Sequence, residues 1–337
     1  MIKTSVFRAA ERVGALVLAR RYTKQFLRIL CYHGISRLDE HLFNPTVFMR
    51  IETFKRRMEN LARLQYPVVS LDEALSGEVP ENAVVITFDD GWEGTLEAAE
   101  VLHGLGFPST LYASTYYTIR GTQVFNVLVR YLGWRVGNRK VVMSNGLSGE
   151  LSNPSFQSEL IRLGTSVSCS VRQAFADELC EISGVHKAQN LMRFLSPDQM
   201  RRLPQFGMDV QLHTHRHRFS TDDEVVNSRE IEDNRDALVS IGFVRERLRH
   251  FCFPSGIFRE EQLPMLSSQG IASAATCRGG LNAPGFSPLI LHRILDSDAV
   301  SDVEFRATIS GFCDVLKAIR GKLPPSRTTR ILDSVEE

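Results

Sequence analysis

Eight short β-rich runs recur along the chain, each followed by a polar or helix-patterned stretch, and several are apolar at almost every position. They are Phe26–Tyr32, Pro67–Ser70, Ala83–Phe88, Pro108–Ala113, Met208–Leu212, Arg249–Phe253, Ile271–Thr276 and Leu289–Leu295. A strand without alternation has no face left for water, so both of its faces must be covered, as in parallel sheets flanked by helices. The intervening segments fit that role. Arg50–Leu64 carries Ile51, Phe54, Met58, Leu61 and Leu64 at helical spacing, and Glu93–Gly104 and Glu230–Ile241 resemble it. Alternating strands and helices predict an α/β domain with a parallel sheet, open or closed into a barrel.

The stretch 118–204 breaks this rhythm. It holds Phe125, Tyr131 and Trp134, a Gly/Ser/Asn-rich run from Ser144 to Ser155, and helical patterns at Val171–Ile182 and Asp198–Leu203. Ser196-Pro197-Asp198-Gln199 supplies a helix N-cap, a proline in the first turn and a Gln that reaches back. A largely helical insertion is expected here, in which Trp134 packs in a core or stacks on a sugar ring. A last helix is expected over Val303–Ile319, and Pro324-Pro325 opens a polar tail. The organisation read from sequence is therefore an N-terminal helix over 1–26, a main domain over 27–320 and a tail over 321–337.

Charge sets the first of these apart. The 337 residues carry 40 Lys+Arg against 39 Asp+Glu, a net of +1 that argues against a nucleic-acid binder. Residues 1–28 nevertheless hold seven cations and the single anion Glu11, which makes this segment +6 and the remainder −5. Its apolar residues are uninterrupted only from Val13 to Ala19, too short to span a bilayer, and charges interrupt any secretory pattern. The reading is a cytoplasmic protein. Its basic amphipathic N-terminal helix either packs on its own domain or rests on the inner face of an anionic membrane. Six cysteines without a CxxC pair suggest neither a zinc cluster nor a disulfide framework, and most are expected to be buried thiols in a reducing compartment.

Two motifs carry chemistry. Val84–Phe88 is an apolar strand that runs into Asp89-Asp90-Gly91, and in parallel α/β folds ligands sit at that C-terminal strand edge. Two adjacent carboxylates there can divide roles, one toward a metal and one toward a proton, although Asp-Asp-Gly is also common turn chemistry. The second motif, His213-Thr214-His215-Arg216-His217, follows the strand Met208–Leu212. A helical turn would bring His213 and His217 to one side, with His215 left to packing or support. Two neutral imidazoles and one carboxylate leave an open position for water, as in catalytic zinc sites. By itself such a segment also reads as a solvated basic loop.

Together, Thr87-Phe88-Asp89-Asp90-Gly91 and His213-Thr214-x-x-His217 resemble the polysaccharide deacetylases, the NodB-homology or carbohydrate esterase 4 family, from about Ile29 to Gly311. The resemblance implies a distorted (β/α) barrel, seven-stranded and permuted, with the helical insertion. It implies Asp89 as catalytic base and Asp90, His213 and His217 as ligands of a divalent metal, zinc by default with cobalt or nickel as alternatives. The turn Phe253-Pro254-Ser255-Gly256 keeps the proline and glycine of a further family motif, so the Ser255 N–H is expected as an oxyanion donor. Cys252 replaces the motif arginine that holds the catalytic Asp, and Arg293 is the candidate replacement. Tyr32-His33 resembles the opening of the branch that includes poly-N-acetylglucosamine deacetylases, which favours His33 over His292 as general acid. The implied activity is removal of acetyl groups from an N-acetylated, or O-acetylated, saccharide, such as an exopolysaccharide or lipid-linked precursor. The competing reading is a catalytically silent saccharide binder. Oligomeric state is not legible.

Overall fold

The computed structural model describes residues 2–77, 79–185, 191–319 and 321. Seven strands form a closed barrel: β1 Arg28–Tyr32, β2 Val84–Asp90, β3 Ser109–Ala113, β4 Met208–Leu212, β5 His250–Cys252, β6 Ser273–Gly279 and β7 Leu291–Leu295. They follow one another around the barrel in chain order, β7 pairs back to β1, and every neighbouring pair is parallel. This is the seven-stranded (β/α) barrel expected from the motifs.

Strand alternation explains why the runs look apolar throughout. Leu30, Tyr32, Ile86, Phe88, Leu111, Val210, Phe251 and Ile294 point outward and pack with Phe54, Met58, Leu102, Leu238 and Phe305 of the surrounding helices. The opposite positions point inward, where Ile29, Val85, Tyr112, Cys252, Ala275 and Leu291 fill the lower barrel. Nearer the C-terminal strand ends the inward positions turn polar: Thr87, Asp89, His213 and Arg293 are all buried there. The barrel is thus an apolar plug beneath a polar floor.

Several expectations need correction. Pro67–Ser70 is not a barrel strand but makes one isolated bridge, Val68 to Val84. Pro67 has no N–H to give a ladder, and Ser70 already caps the helix Leu71–Leu75 with Glu73. The final helix is two, Asp302–Ile309 and Phe312–Ile319, parted at Gly311 with φ +79°. A Cβ at Gly311 would stand 2.5 Å from Thr23 Oγ1, so the break belongs to the packing. The N-terminal segment is also two helices, Ile2–Arg12 and Ala15–Tyr22, parted at Gly14 with φ +77°. The tail from residue 322 lies outside the described residues.

The insertion is mostly helical, with Phe125–Val136, Pro154–Ser166, Cys169–Ile182 and Pro197–Arg202. A hairpin of Lys140–Val142 and Ser148–Glu150 overlaps its polar run. It has its own core, including Val124, Leu128, Leu132, Leu160 and Leu179, and this core is continuous with Phe48 and Trp92 from the barrel side. Trp134 is partly exposed and lies against Tyr131 and Phe43, each with its ring centroid 6.0 Å away.

Arg28 ties the two chain ends together. It is fully buried, and its guanidinium donates to Ile309 O at 2.7 Å, Phe26 O at 2.6 Å, Thr23 O at 3.2 Å and Thr23 Oγ1 at 2.8 Å. Burial lowers its pKa to about 10, still charged at neutral pH. Arg28→Met strands these acceptors and is expected to cost about 3 kcal/mol, read as a lower urea midpoint at unchanged m-value.

Candidate active site

The polar floor is organised by one ion pair. Arg293 Nη1 and Nη2 donate to Asp89 Oδ1 and Oδ2, both at 2.7 Å. Nε donates to Thr276 O at 2.8 Å, Nη1 also reaches Thr87 Oγ1 at 3.4 Å, and Nη2 reaches Cys252 Sγ at 3.2 Å. All five guanidinium donors therefore have acceptors, which a wholly buried arginine requires. Asp89 receives its cation from β7, while Cys252 on β5 contributes only a thiol 3.5 Å from Oδ2. The Cys31 thiol, on β1 between β2 and β7, lies 3.6 Å from the same oxygen.

Burial alone would raise the Asp89 pKa, but Arg293 outweighs it, with smaller help from His213 and His33, and the carboxyl falls to about 2. His33, at the end of β1, places Nε2 3.8 Å from Asp89 Oδ2. Burial holds its imidazole below its ordinary value, so it is neutral at neutral pH. His292 sits one residue before Arg293 and so faces the other side of β7. There its main chain bonds Asn282 and its ring lies toward Gly280, and it does not join Asp89.

A second cluster adjoins the first. Asp90 Oδ1 lies 3.4 Å from His213 Nε2 and 3.3 Å from His217 Nε2, and all three residues are buried. Burial pushes the Asp90 carboxyl up, yet the two facing imidazoles prevail and hold it well below the usual range. His213 Nδ1 is 2.8 Å from Cys252 O. A carbonyl can only accept, so Nδ1 carries a proton and Nε2 is the ring nitrogen that faces the cluster. The other carboxylate oxygen, Asp90 Oδ2, accepts from Trp92 Nε1 at 2.8 Å. Trp92 is itself packed between Phe48 and Phe194, at 5.0 Å and 4.8 Å.

The local backbone is unusual. Asp90, Thr214, His217 and Ser255 all have positive φ, at 72°, 61°, 57° and 54°. In Asp90 the reversal ends the strict alternation of β2, so neighbouring carboxylates reach two clusters instead of opposite faces. His213 and His217 do meet, with ring centroids 4.9 Å apart. They do so through a loop in which Thr214 and His217 are left-handed; the helical turn expected from their spacing is absent. A β-branched residue such as Thr214 adopts this conformation only when its surroundings enforce it. The enforcing element is the helix Glu224–Ile241. Its Asn234 accepts from His213 N at 2.9 Å and donates to Ala113 O and Thr115 Oγ1, and its Glu230 accepts from Arg216 N at 2.7 Å. His215 turns aside, with Nδ1 2.8 Å from Thr115 Oγ1.

Ser255 lies in the turn that leaves β5, with the adjoining Gly256 against Cys277 of β6, and its peptide N–H has no acceptor among the described residues. Trp92 and Asn234 were not anticipated as site residues. Asn234 does leave a trace in the sequence, a polar residue on the buried stripe with Ile231, Leu238 and Ile241.

A folded-state pKa of about 2 against an ordinary value of 3.8 makes the Asp89 pair a stabilising contact at neutral pH. That contribution is complete above pH 4 and lost as pH falls through 2, about 2 kcal/mol in all. Unfolding free energy measured from pH 4 to 2 should fall more steeply in the wild type than in Asp89→Asn.

Residues 168–274, which span β4, the histidine loop, β5 and the start of β6, match the family model for polysaccharide deacetylase. No curated protein matches the chain by sequence. Among solved structures, the Streptococcus pyogenes deacetylase PplD in complex with acetate superposes with a TM-score of 0.57 and 18% identity, over 84% of this chain and 98% of that one. IcaB from Ammonifex degensii gives 0.54 at 17% identity, over 85% and 97%. The de-N-acetylase from Aggregatibacter actinomycetemcomitans gives 0.54 at 14%, over 84% and 99%. The segment 168–274 thus matches the polysaccharide deacetylase family, and the solved structures share the fold of the whole barrel.

Proposed function

We propose that this protein hydrolyses the acetamide of an N-acetylated saccharide, with a divalent cation held by Asp90, His213 and His217. The observation that carries this reading is the spacing of the three donors. Bonds of 2.0–2.1 Å at tetrahedral angles put ligand atoms about 3.3 Å apart, and the carboxylate-to-imidazole distances are 3.3 Å and 3.4 Å. One carboxylate oxygen and two nitrogens suit zinc, cobalt or nickel.

When bound, such a cation supplies Lewis acidity to the acyl carbonyl and lowers the pKa of a water. The chain's own groups account for the rest. Asp89, turned toward the same space, accepts the proton of the attacking water on lone pairs that Arg293 leaves free. A carboxylate held low by Arg293 is a weak base, so it would need a water whose pKa the bound cation had lowered. The Ser255 N–H donates to the oxyanion that develops as water oxygen bonds to the acyl carbon. His33 is neutral and close to Asp89, so the proton it gives the departing amine is the one Asp89 has taken. The C–N bond breaks, leaving acetate and an amino sugar. An acetyl ester could pass through the same groups. The chief ground for a silent saccharide binder, the missing arginine at Cys252, is weakened because Arg293 provides that charge.

Metal analysis together with acetate release from chitooligosaccharides tests this reading. His213→Ala should lose both metal and activity, whereas Asp89→Asn should keep the metal and lose about 100-fold or more in kcat. Acetate release from metal-free His213→Ala at the wild-type rate defeats the proposal. Trp92→Phe removes the N–H that orients Asp90 and should weaken zinc affinity about tenfold or more in competition with a chromogenic chelator.

A further inference from the structure

The N-terminal helices are held to the domain by one side only. Phe7, Ala10 and Leu16 are buried against Val303 and Ala307. Glu11 accepts from Arg306 at 2.5 Å, and Arg20 donates to the carbonyls of Leu64 and Gln65 while lying 3.9 Å over the Tyr66 ring. On the other side Val13, Val17, Leu18 and Tyr22 are 77%, 69%, 65% and 74% exposed. Helical geometry puts Val17, Leu18, Arg21 and Tyr22 on the side away from the buried Leu16 and Ala19.

The charges divide in the same way. Arg20 and Arg28 serve internal acceptors and Lys24 pairs with Glu81. Arg8, Arg12 and Arg21 are exposed and make no ion pair with a described residue. The one acid of the segment, Glu11, faces inward to Arg306. The outer surface therefore presents large apolar side chains and unpaired cations, with no anion of its own segment among them.

We propose that this face docks on an anionic lipid surface. A second copy would bring the same cations and be repelled. A nucleic acid would take the arginines but leaves Val17, Leu18 and Tyr22 in water. Anionic headgroups over an acyl boundary satisfy both kinds of group, with arginines at headgroup level and the apolar residues just below. The segment leads into β1 at its N-terminal end, where Arg28 bonds Thr23. The clusters of Asp89 and Asp90 lie at the opposite strand ends, so docking leaves the site's rim uncovered. The inference does not depend on the proposed chemistry.

The test uses the full chain in a vesicle co-sedimentation assay. Vesicles of phosphatidylcholine alone are compared with vesicles containing about 30% phosphatidylglycerol, at low and high salt. The expected result is sedimentation with the anionic vesicles only, reduced about tenfold or more by high salt. Arg12→Gln/Arg21→Gln and Val17→Ser/Leu18→Ser should each reduce it about fivefold or more, since charge and insertion both contribute, while thermal unfolding stays unchanged. Three results overturn the proposal: no sedimentation with anionic vesicles, equal sedimentation with both lipids, or retention of full binding by either double variant. Concentration-dependent self-association, read by analytical ultracentrifugation and abolished by Val17→Ser/Leu18→Ser, would assign the face to a second copy and overturn it as well.

Discussion

A carboxylate and a guanidinium enclosed together near the C-terminal end of the barrel fix much of what surrounds them. Stripping water from two such ions carries a desolvation penalty of several kcal/mol each, which only near-complete pairing offsets. Arg293 meets that condition by using all five donors on β2, β5, β6 and its own partner Asp89. Because β2 and β7 both pair with β1, the ion pair straddles β1, with Cys31 between them and His33 at its end. Opening the sheet at this seam would separate the two charges. The pair thereby makes barrel closure and the state of Asp89 a single problem.

Around it the backbone accepts conformations that side-chain sterics disfavour, at about 1–3 kcal/mol each. Asp90, Thr214, His217 and Ser255 all lie at or just beyond the C-terminal ends of barrel strands, where the left-handed backbone breaks the regular alternation. The restraint comes from outside the barrel. Asn234 joins the ends of β3 and β4, Glu230 holds the loop after β4, and both belong to the helix Glu224–Ile241. Apolar packing of that helix through Ile231 and Leu238 thus keeps the imidazoles where they are.

Much of the fold was legible because inward and outward faces are both dry, so seven barrel strands stand out as apolar runs. Pro67–Ser70 misled for the same reason: it is β-rich, but proline and a capping serine turn it away from the ladder. Breaks at Gly14 and Gly311 were hidden because periodicity alone does not register a left-handed residue between two amphipathic stretches. At the site, residue type and spacing indicated a set of two imidazoles and a carboxylate, whereas the family resemblance singled out Asp90 for that set and Arg293 as the cation facing Asp89. Type and spacing did not indicate how His213 and His217 meet, since spacing by four suits a helical turn as well as a strained loop. Trp92 escaped because an aromatic after Asp-Asp-Gly reads as core; its indole N–H acts only once Phe48 and Phe194 have fixed the ring plane.

That ring plane gives the helical insertion a second meaning. Main-chain bonds from Glu93 to Arg193 and from Leu195 to Gly91 knit the end of the excursion to the very turn that bears Asp90. Its root is therefore under the same geometric constraint as the carboxylate, whereas the distant hairpin at 140–150 carries none of it. Sequence drift in this protein's relatives should be tolerated at the tip and resisted at the stem, so that the excursion behaves like a bracket with a fixed foot and a free arm.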